Sequence, residues 1–300
     1  MTVHVPTTDG SPEGPDGTAA GPDGIPGGAR QVPPADGLVA PVPAVLRRDP
    51  RAEDGPCSAP ARWAAEFAGT ALIVFAGLGT GMFATEAVDS AVGFGLGLVA
   101  ALVAFGHVSG GHFNPAVTLA AVVAGRTAAG AAAGLVVAQV LGAVAAAGVL
   151  WAVLMTLLDA PTTAQVIGAV SNGFGGNSTS QAGWTTVLLV EVVATALFAL
   201  VVLGSTAPRA NAVLAPLAMG AAFTLLLTVT APFDGGALNP ARSTGAAVVA
   251  GASHLAQLWL FWAAPLAGGL LAGLAHRATG RTRRPARTRA ADRPAERHRA

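Results

Sequence analysis

The sequence predicts an all-α membrane protein: six transmembrane helices plus two re-entrant half-helices, arranged as an inverted three-helix repeat. Three observations predict it. Of 300 residues, 52% are hydrophobic and only 11% charged, against about 25% charged in a soluble domain. Six stretches, about 63–83, 91–108, 130–157, 184–206, 212–231 and 256–276, come near or above the roughly 20 apolar residues that a spanning helix needs. Two blocks of sequence also recur at a single offset of 125 residues.

In chain order, residues 1–60 are rich in Pro, Gly, Ala and Asp without apolar periodicity, and read as a disordered tail. They lack the continuous apolar stretch of a signal peptide. Residues 61–157 make the first half of the predicted membrane unit, 158–183 a polar, flexible outer connection, 184–277 the second half, and 278–300 an Arg-rich tail. The single cysteine, Cys57, excludes an intrachain disulfide framework. Net charge is only +1, but its placement is informative. With both termini cytoplasmic, Arg30, Arg47, Arg48, Arg51, Arg62, Arg126, Arg209 and the C-terminal arginines all lie inside, while the outer connections carry Glu86, Asp89 and Asp159. This is the positive-inside pattern of a multi-pass protein of the cell membrane. Arg242 alone breaks it, and an arginine on the wrong side beside an apolar span calls for a specific role.

The repeat pairs Glu66-Phe-Ala-Gly-Thr-Ala-Leu with Glu191-Val-Val-Ala-Thr-Ala-Leu, and Gly110-Gly-His-Phe-Asn-Pro-Ala with Gly235-Gly-Ala-Leu-Asn-Pro-Ala. Each half holds three spans, an odd number, so the halves sit in the membrane with opposite orientation.

The segments Ser109–Gly125 and Gly235–Ala250 are too short and interrupted to be further spans. Asn is a good helix N-cap and Pro suits the first helical position. Asn114-Pro115-Ala116 and Asn239-Pro240-Ala241 therefore read as extended backbone running into a short helix, whose positive end lies at Asn. Irregular backbone at membrane depth must be satisfied by protein or water. The carbonyls of Gly110, Gly111, His112, Phe113, Gly235, Ala237 and Leu238 are thus expected to line a water-filled path. A capping Asn has amide N–H groups to spare, so two such amides from opposite sides are placed to orient one passing oxygen. The two positive helix ends would repel cations and protons. Glu66 and Glu191 are the only acidic residues expected within spans. Buried charge needs partners, and the N–H groups of the re-entrant segments are the expected ones.

Ser-Gly-Gly-His-Phe-Asn-Pro-Ala-Val-Thr (109–118) and Asn-Pro-Ala-Arg-Ser (239–243) resemble the two signatures of the aquaporin, or major intrinsic protein, family, over about 61–277. The resemblance implies an aquaporin-like hourglass, a homotetramer with one pore per subunit, and an outer selectivity filter. By spacing from the two Asn, the filter falls on Phe94, Leu227, Gly236 and Arg242. Phe94 and Arg242 match the water-selective pattern. Leu227 stands where water channels usually carry histidine and Gly236 is small, which implies a wider, more apolar constriction. Ser243 and Phe261-Trp262 are similar to the water-channel type. The implied function is a passive channel for water, with small neutral solutes such as glycerol as further substrates, excluding ions and protons. The alternatives are a glycerol facilitator and, from another class, an ion-coupled secondary transporter.

His107 and His112 flank the first signature; His107 is expected near the cytoplasmic mouth. No His-Glu-x-x-His pattern, paired carboxylate or Ser/His/Asp arrangement is present, so neither an enzyme, a metal site, a cofactor nor a nucleic-acid partner is expected. Gly93 and Gly97, and Gly130 and Gly134, have helix-packing spacing.

Overall fold

The structure is a computed structural model, described here for residues 57–83 and 87–281. The N-terminal segment up to residue 56, Glu86 and the C-terminal segment from residue 282 lie outside the described residues, and so do the expectations placed on them.

Nine α-helices follow in order among the described residues: α1 (Ala59–Phe83), α2 (Ala87–Ser109), α3 (Pro115–Val123), α4 (Ala129–Leu157), α5 (Ala160–Ala169), α6 (Trp184–Ser205), α7 (Ala215–Asp234), α8 (Pro240–Ala250) and α9 (Ala252–Arg281). Six of them, α1, α2, α4, α6, α7 and α9, are long and apolar enough to cross a membrane. The expected spans are thus present with shifted ends. One shift matters: α7 extends to Asp234, so a third acidic residue joins Glu66 and Glu191 at membrane depth. Many large apolar side chains, such as Leu96, Val103, Leu189 and Leu225, point outward, as a lipid-facing surface requires.

The short helices α3 and α8 form because Asn and Pro start them and glycine-rich backbone precedes them. Asn114 Oδ1 accepts from Ala116 N at 2.8 Å, and Asn239 Oδ1 accepts from Ala241 N at 3.0 Å. Each short helix packs on the third span of the opposite half: α3 on α9, and α8 on α4. The two halves are thereby interlocked. Small residues permit it. A Cβ on Gly245 of α8 would lie 2.6 Å from the Ala143 carbonyl of α4, and one on Gly273 of α9 would lie 2.8 Å from the Ala120 carbonyl of α3. Of the expected packing glycines, Gly93 and Gly97 lie against α1, and Gly134 lies against Trp63, whereas Gly130 has nothing within 4 Å and packs no helix.

The segment expected as a flexible connection is folded. It contains α5, capped by Asp159, whose carboxylate accepts from Thr162 N at 2.8 Å. Hydrogen bonding from the Thr162 side chain, and then from its N–H, holds the Asp159 carboxyl below the usual carboxylate range. Beyond α5, Ser171 and Asn172 are buried, and Gln257 of α9 clamps Phe174 by accepting from its N–H at 2.8 Å and donating to its carbonyl at 3.1 Å.

A test follows from the interlock. Gly245→Val pushes a branched side chain into α4 backbone and should lower the midpoint of thermal unfolding in detergent. Gly148→Ala, at a position with nothing within 4 Å, should leave it unchanged.

Candidate functional site

The two re-entrant turns repeat each other in backbone conformation. Gly110 and Gly111 have φ of 102° and 68°, Gly235 and Gly236 80° and 69°, and each turn ends on a bulky residue in the left-handed region, Phe113 (48°) and Leu238 (52°). A left-handed L-residue costs roughly 1–2 kcal/mol, so something must hold it. Two groups do. Phe113 N donates to Glu66 Oε2 at 2.6 Å, and Leu238 N donates to Glu191 Oε2 at 2.9 Å. From the other side, Asn239 Nδ2 donates to the Phe113 carbonyl at 3.0 Å, and Asn114 Nδ2 donates to the Leu238 carbonyl at 2.9 Å. The Asn-Pro-Ala turns therefore meet, each Asn gripping the residue before the other. One N–H of each Asn and one lone pair of each of the two carbonyls are thus used within the protein. Each Asn keeps one amide N–H for a passing oxygen, and the Phe113 and Leu238 carbonyls each keep one lone pair.

Glu66 and Glu191 are both fully buried and accept from N–H groups of the re-entrant turns. Glu66 also accepts from His112 N at 2.9 Å, Ser109 Oγ at 2.7 Å and Gln139 Nε2 at 2.6 Å. Glu191 accepts from Ala237 N at 3.3 Å. The Gly69 position accommodates the Phe113 ring, which a Cβ there would strike.

On the side of the first turn, a cavity of about 240 Å³ is lined by Gly110, His112, Arg62, Arg126 and Thr206 among others. Gly110 and His112 thus border open space. The His112 ring packs inward, its Nδ1 3.2 Å from Thr118 Oγ1. Arg126 donates to Thr206 Oγ1 at 2.7 Å and lies 2.8 Å from His276 Nε2. His107 is exposed on the last turn of α2 and is not among the residues lining this cavity.

On the other side, the four expected filter residues are all buried and meet in two contacts. The Arg242 guanidinium lies 4.9 Å from the centroid of the Phe94 ring, within cation–π range. Leu227 lies over Gly236: a Cβ there would be 3.1 Å from Leu227 Cδ2. The small size of Gly236 therefore does not by itself leave a wider opening, because Leu227 occupies the adjoining space.

Arg242 is held by the Gly235 carbonyl and by two residues that the sequence did not single out, Val170 and Asn172. Nη1 donates to Asn172 Oδ1, and Nη2 donates to the carbonyls of Val170 and Gly235, each at 3.1 Å. Its Nε has no partner among the described residues. Asn172 also accepts from Ser243 Oγ at 2.8 Å and donates to the Asp234 carbonyl at 3.1 Å. Its own carbonyl accepts from His254 Nδ1 at 3.0 Å. The signal available in sequence was the Ser171-Asn172-Gly173 run, whose composition also fits an exposed turn.

Comparison with known proteins agrees with this geometry. The chain is 40% identical over 223 residues to Aquaporin Z of Rhodopseudomonas palustris, covering 72% of this chain and 92% of that protein. It is 41% identical over 217 residues to Aquaporin Z of Brucella melitensis, covering 70% and 93%. The X-ray structure of the aquaglyceroporin from Plasmodium falciparum shares the fold, with a TM-score of 0.63 at 18% identity over 74% of this chain and 95% of that one. The family model described as major intrinsic protein matches residues 58–276, and the chain belongs to that family.

Proposed function

We propose that the chain is a passive channel for water that also admits small neutral solutes such as glycerol and excludes ions and protons. The observation that carries the reading is the end-to-end meeting of two short helices through Asn114 and Asn239, with one amide N–H left on each. Both helices present their positive ends at that point, which disfavours cations and protons while a neutral oxygen is oriented. Arg242 adds a fixed positive charge at the outer filter. The relatives named Aquaporin Z support water as the main solute.

The glycerol reading has one observation in its favour. Leu227 and Gly236 make the filter apolar opposite Arg242, and apolar lining eases the passage of carbon-bearing solutes. We place the protein in the cell membrane as a homotetramer with both termini cytoplasmic. The joint position of Arg62 and Arg126 on one cavity supports that orientation, since arginine concentrates on the cytoplasmic side.

Proteoliposomes containing the chain should shrink faster than empty ones in an osmotic stopped-flow assay; equal rates reject water permeation. Flux should also be indifferent to membrane potential and pH gradient, which separates a channel from a coupled transporter. Leu227→His should reduce glycerol flux more than water flux, and an unchanged ratio would count against Leu227 in the filter. Asn172→Ala removes the acceptor shared by Arg242 and Ser243. Leaving such buried donors unpaired costs about 1–3 kcal/mol, so the variant should unfold at lower temperature and lose solute discrimination. A variant matching the parent in both would remove Asn172 from the filter's support.

A further inference from the structure

The repeat that matches so closely in backbone carries different charges in its two halves. At the offset of 125 residues, Val117 corresponds to Arg242 and Ser109 to Asp234. Ser109 ends α2 as Asp234 ends α7. In the first half, Ser109 Oγ accepts from Gly111 N at 3.1 Å and donates to Glu66 Oε1 at 2.7 Å. In the second half, Asp234 Oδ1 accepts from the matching Gly236 N at 2.7 Å, and Glu191 Oε1 accepts from the next N–H, that of Ala237. Two carboxyl groups thus grip consecutive N–H groups of the same turn.

Donors are short at this place. Asp234 and Glu191 are both 0% exposed, and Asp234 Oδ2 has no partner. Glu66 receives a further bond from Gln139, whereas the offset places Ala264 at the corresponding position of the second half. Ala264 is fully buried in the apolar cluster around Ala237. A serine hydroxyl supplies its own proton to a neighbouring carboxylate; an ionised aspartate supplies none. Two bare carboxylates in contact and out of water repel each other, and each forfeits its hydration. One proton between them removes the repulsion and gives Oδ2 its bond.

We propose that Glu191 and Asp234 form a one-proton site, sharing a single proton at neutral pH and leaving one negative charge to balance Arg242. The charged groups facing the pair are few. Arg242 comes from α8, its Nη2 donating to the carbonyl of Gly235, next to Asp234, at 3.1 Å. The nearby titratable group of α9, His254, is engaged with the Asn172 carbonyl. Glu191 from α6 and Asp234 from α7 are the pair itself. With the proton in place, the three side chains sum to no net charge. Without it they sum to one negative charge beside the filter, and rings of acidic side chains favour cations. Cation exclusion at the outer filter therefore depends on the proton staying. This consequence rests on the channel reading above; the proton site does not.

The test is infrared spectroscopy of the full chain in lipid, paired with potassium leak from the same vesicles. The wild type should show a protonated-carboxyl C=O stretch at neutral pH that shifts on exchange into heavy water. The band should be lost in Asp234→Ser, which restores the hydroxyl of the first half, and in Asp234→Asn, which nearly keeps the size. Raising the pH should abolish the band in the wild type, and over the same range potassium leak should rise in the wild type and stay flat in both variants. No such band in the wild type, or a band that survives in both variants, overturns the site. A band that titrates without any change in leak overturns its role in cation exclusion. Absence of water permeation with the band intact would instead count against the channel reading alone.

Discussion

The rest of the structure depends on the crossed pair of hydrogen bonds between Asn114 Nδ2 and the Leu238 carbonyl and between Asn239 Nδ2 and the Phe113 carbonyl. Each Asn caps its own helix with its oxygen and ties down the opposite turn with its nitrogen. The residues so tied, Phe113 and Leu238, are in the left-handed region, which costs roughly 1–2 kcal/mol each. A neutral hydrogen bond nets only about 0.5–1.5 kcal/mol, whereas one to a charged group nets about 1.5–3 kcal/mol. The balance is therefore tipped by Glu66 and Glu191, which take the N–H groups of the same two residues. Carboxylate on one side and amide on the other fix both polar groups of each strained peptide, and the short helices are held end to end as a result.

On this symmetric frame the two halves carry different side chains, and the differences compensate locally. Phe113 is large and faces Gly69; its counterpart Leu238 is smaller, and the position matching Gly69 is Ala194. Glu66 is fed by a serine and a glutamine, without a basic side chain among its hydrogen-bond partners. Glu191 loses both kinds of donor and has instead an aspartate and the field of Arg242. The outer half is thus the charged half, and Asn172 anchors it, joining α5's trailing segment to α7, α8 and α9 through the hydrogen bonds of one side chain and one carbonyl.

Much of this was legible in the sequence because it obeys local rules. Apolar length gave the spans, Asn-Pro gave the helix starts at residues 115 and 240, and the 125-residue offset tied each glutamate to its own turn. What escaped was non-local. Nothing in Ser171-Asn172-Gly173 distinguishes a buried clamp from a surface turn, since the distinction lies in Arg242 and Ser243, some 70 residues away. Gln139 reads as one polar residue in an apolar span until Glu66 is placed beside it. Asp234 lies beyond the span end expected at residue 231, yet α7 continues through Pro232 and buries the carboxyl.

The filter shows why residue size read from sequence misleads at such a site. Gly236 suggested an opening, but its glycine is required by backbone: φ is 69°, a conformation costly for residues with a Cβ. The same fold brings Leu227 so close that a side chain at 236 would meet it. Leu227 and Gly236 are therefore one unit, in which the side chain missing from one position is supplied by the other. The filter's chemistry then divides cleanly. One wall is apolar and is set by Leu227. The other is Arg242, stacked on Phe94 and gripped by Asn172, where every donor spent on protein acceptors is withheld from the solute. On the proposed channel function, selectivity among neutral solutes would follow from how few donors that leaves against an apolar wall set by Leu227.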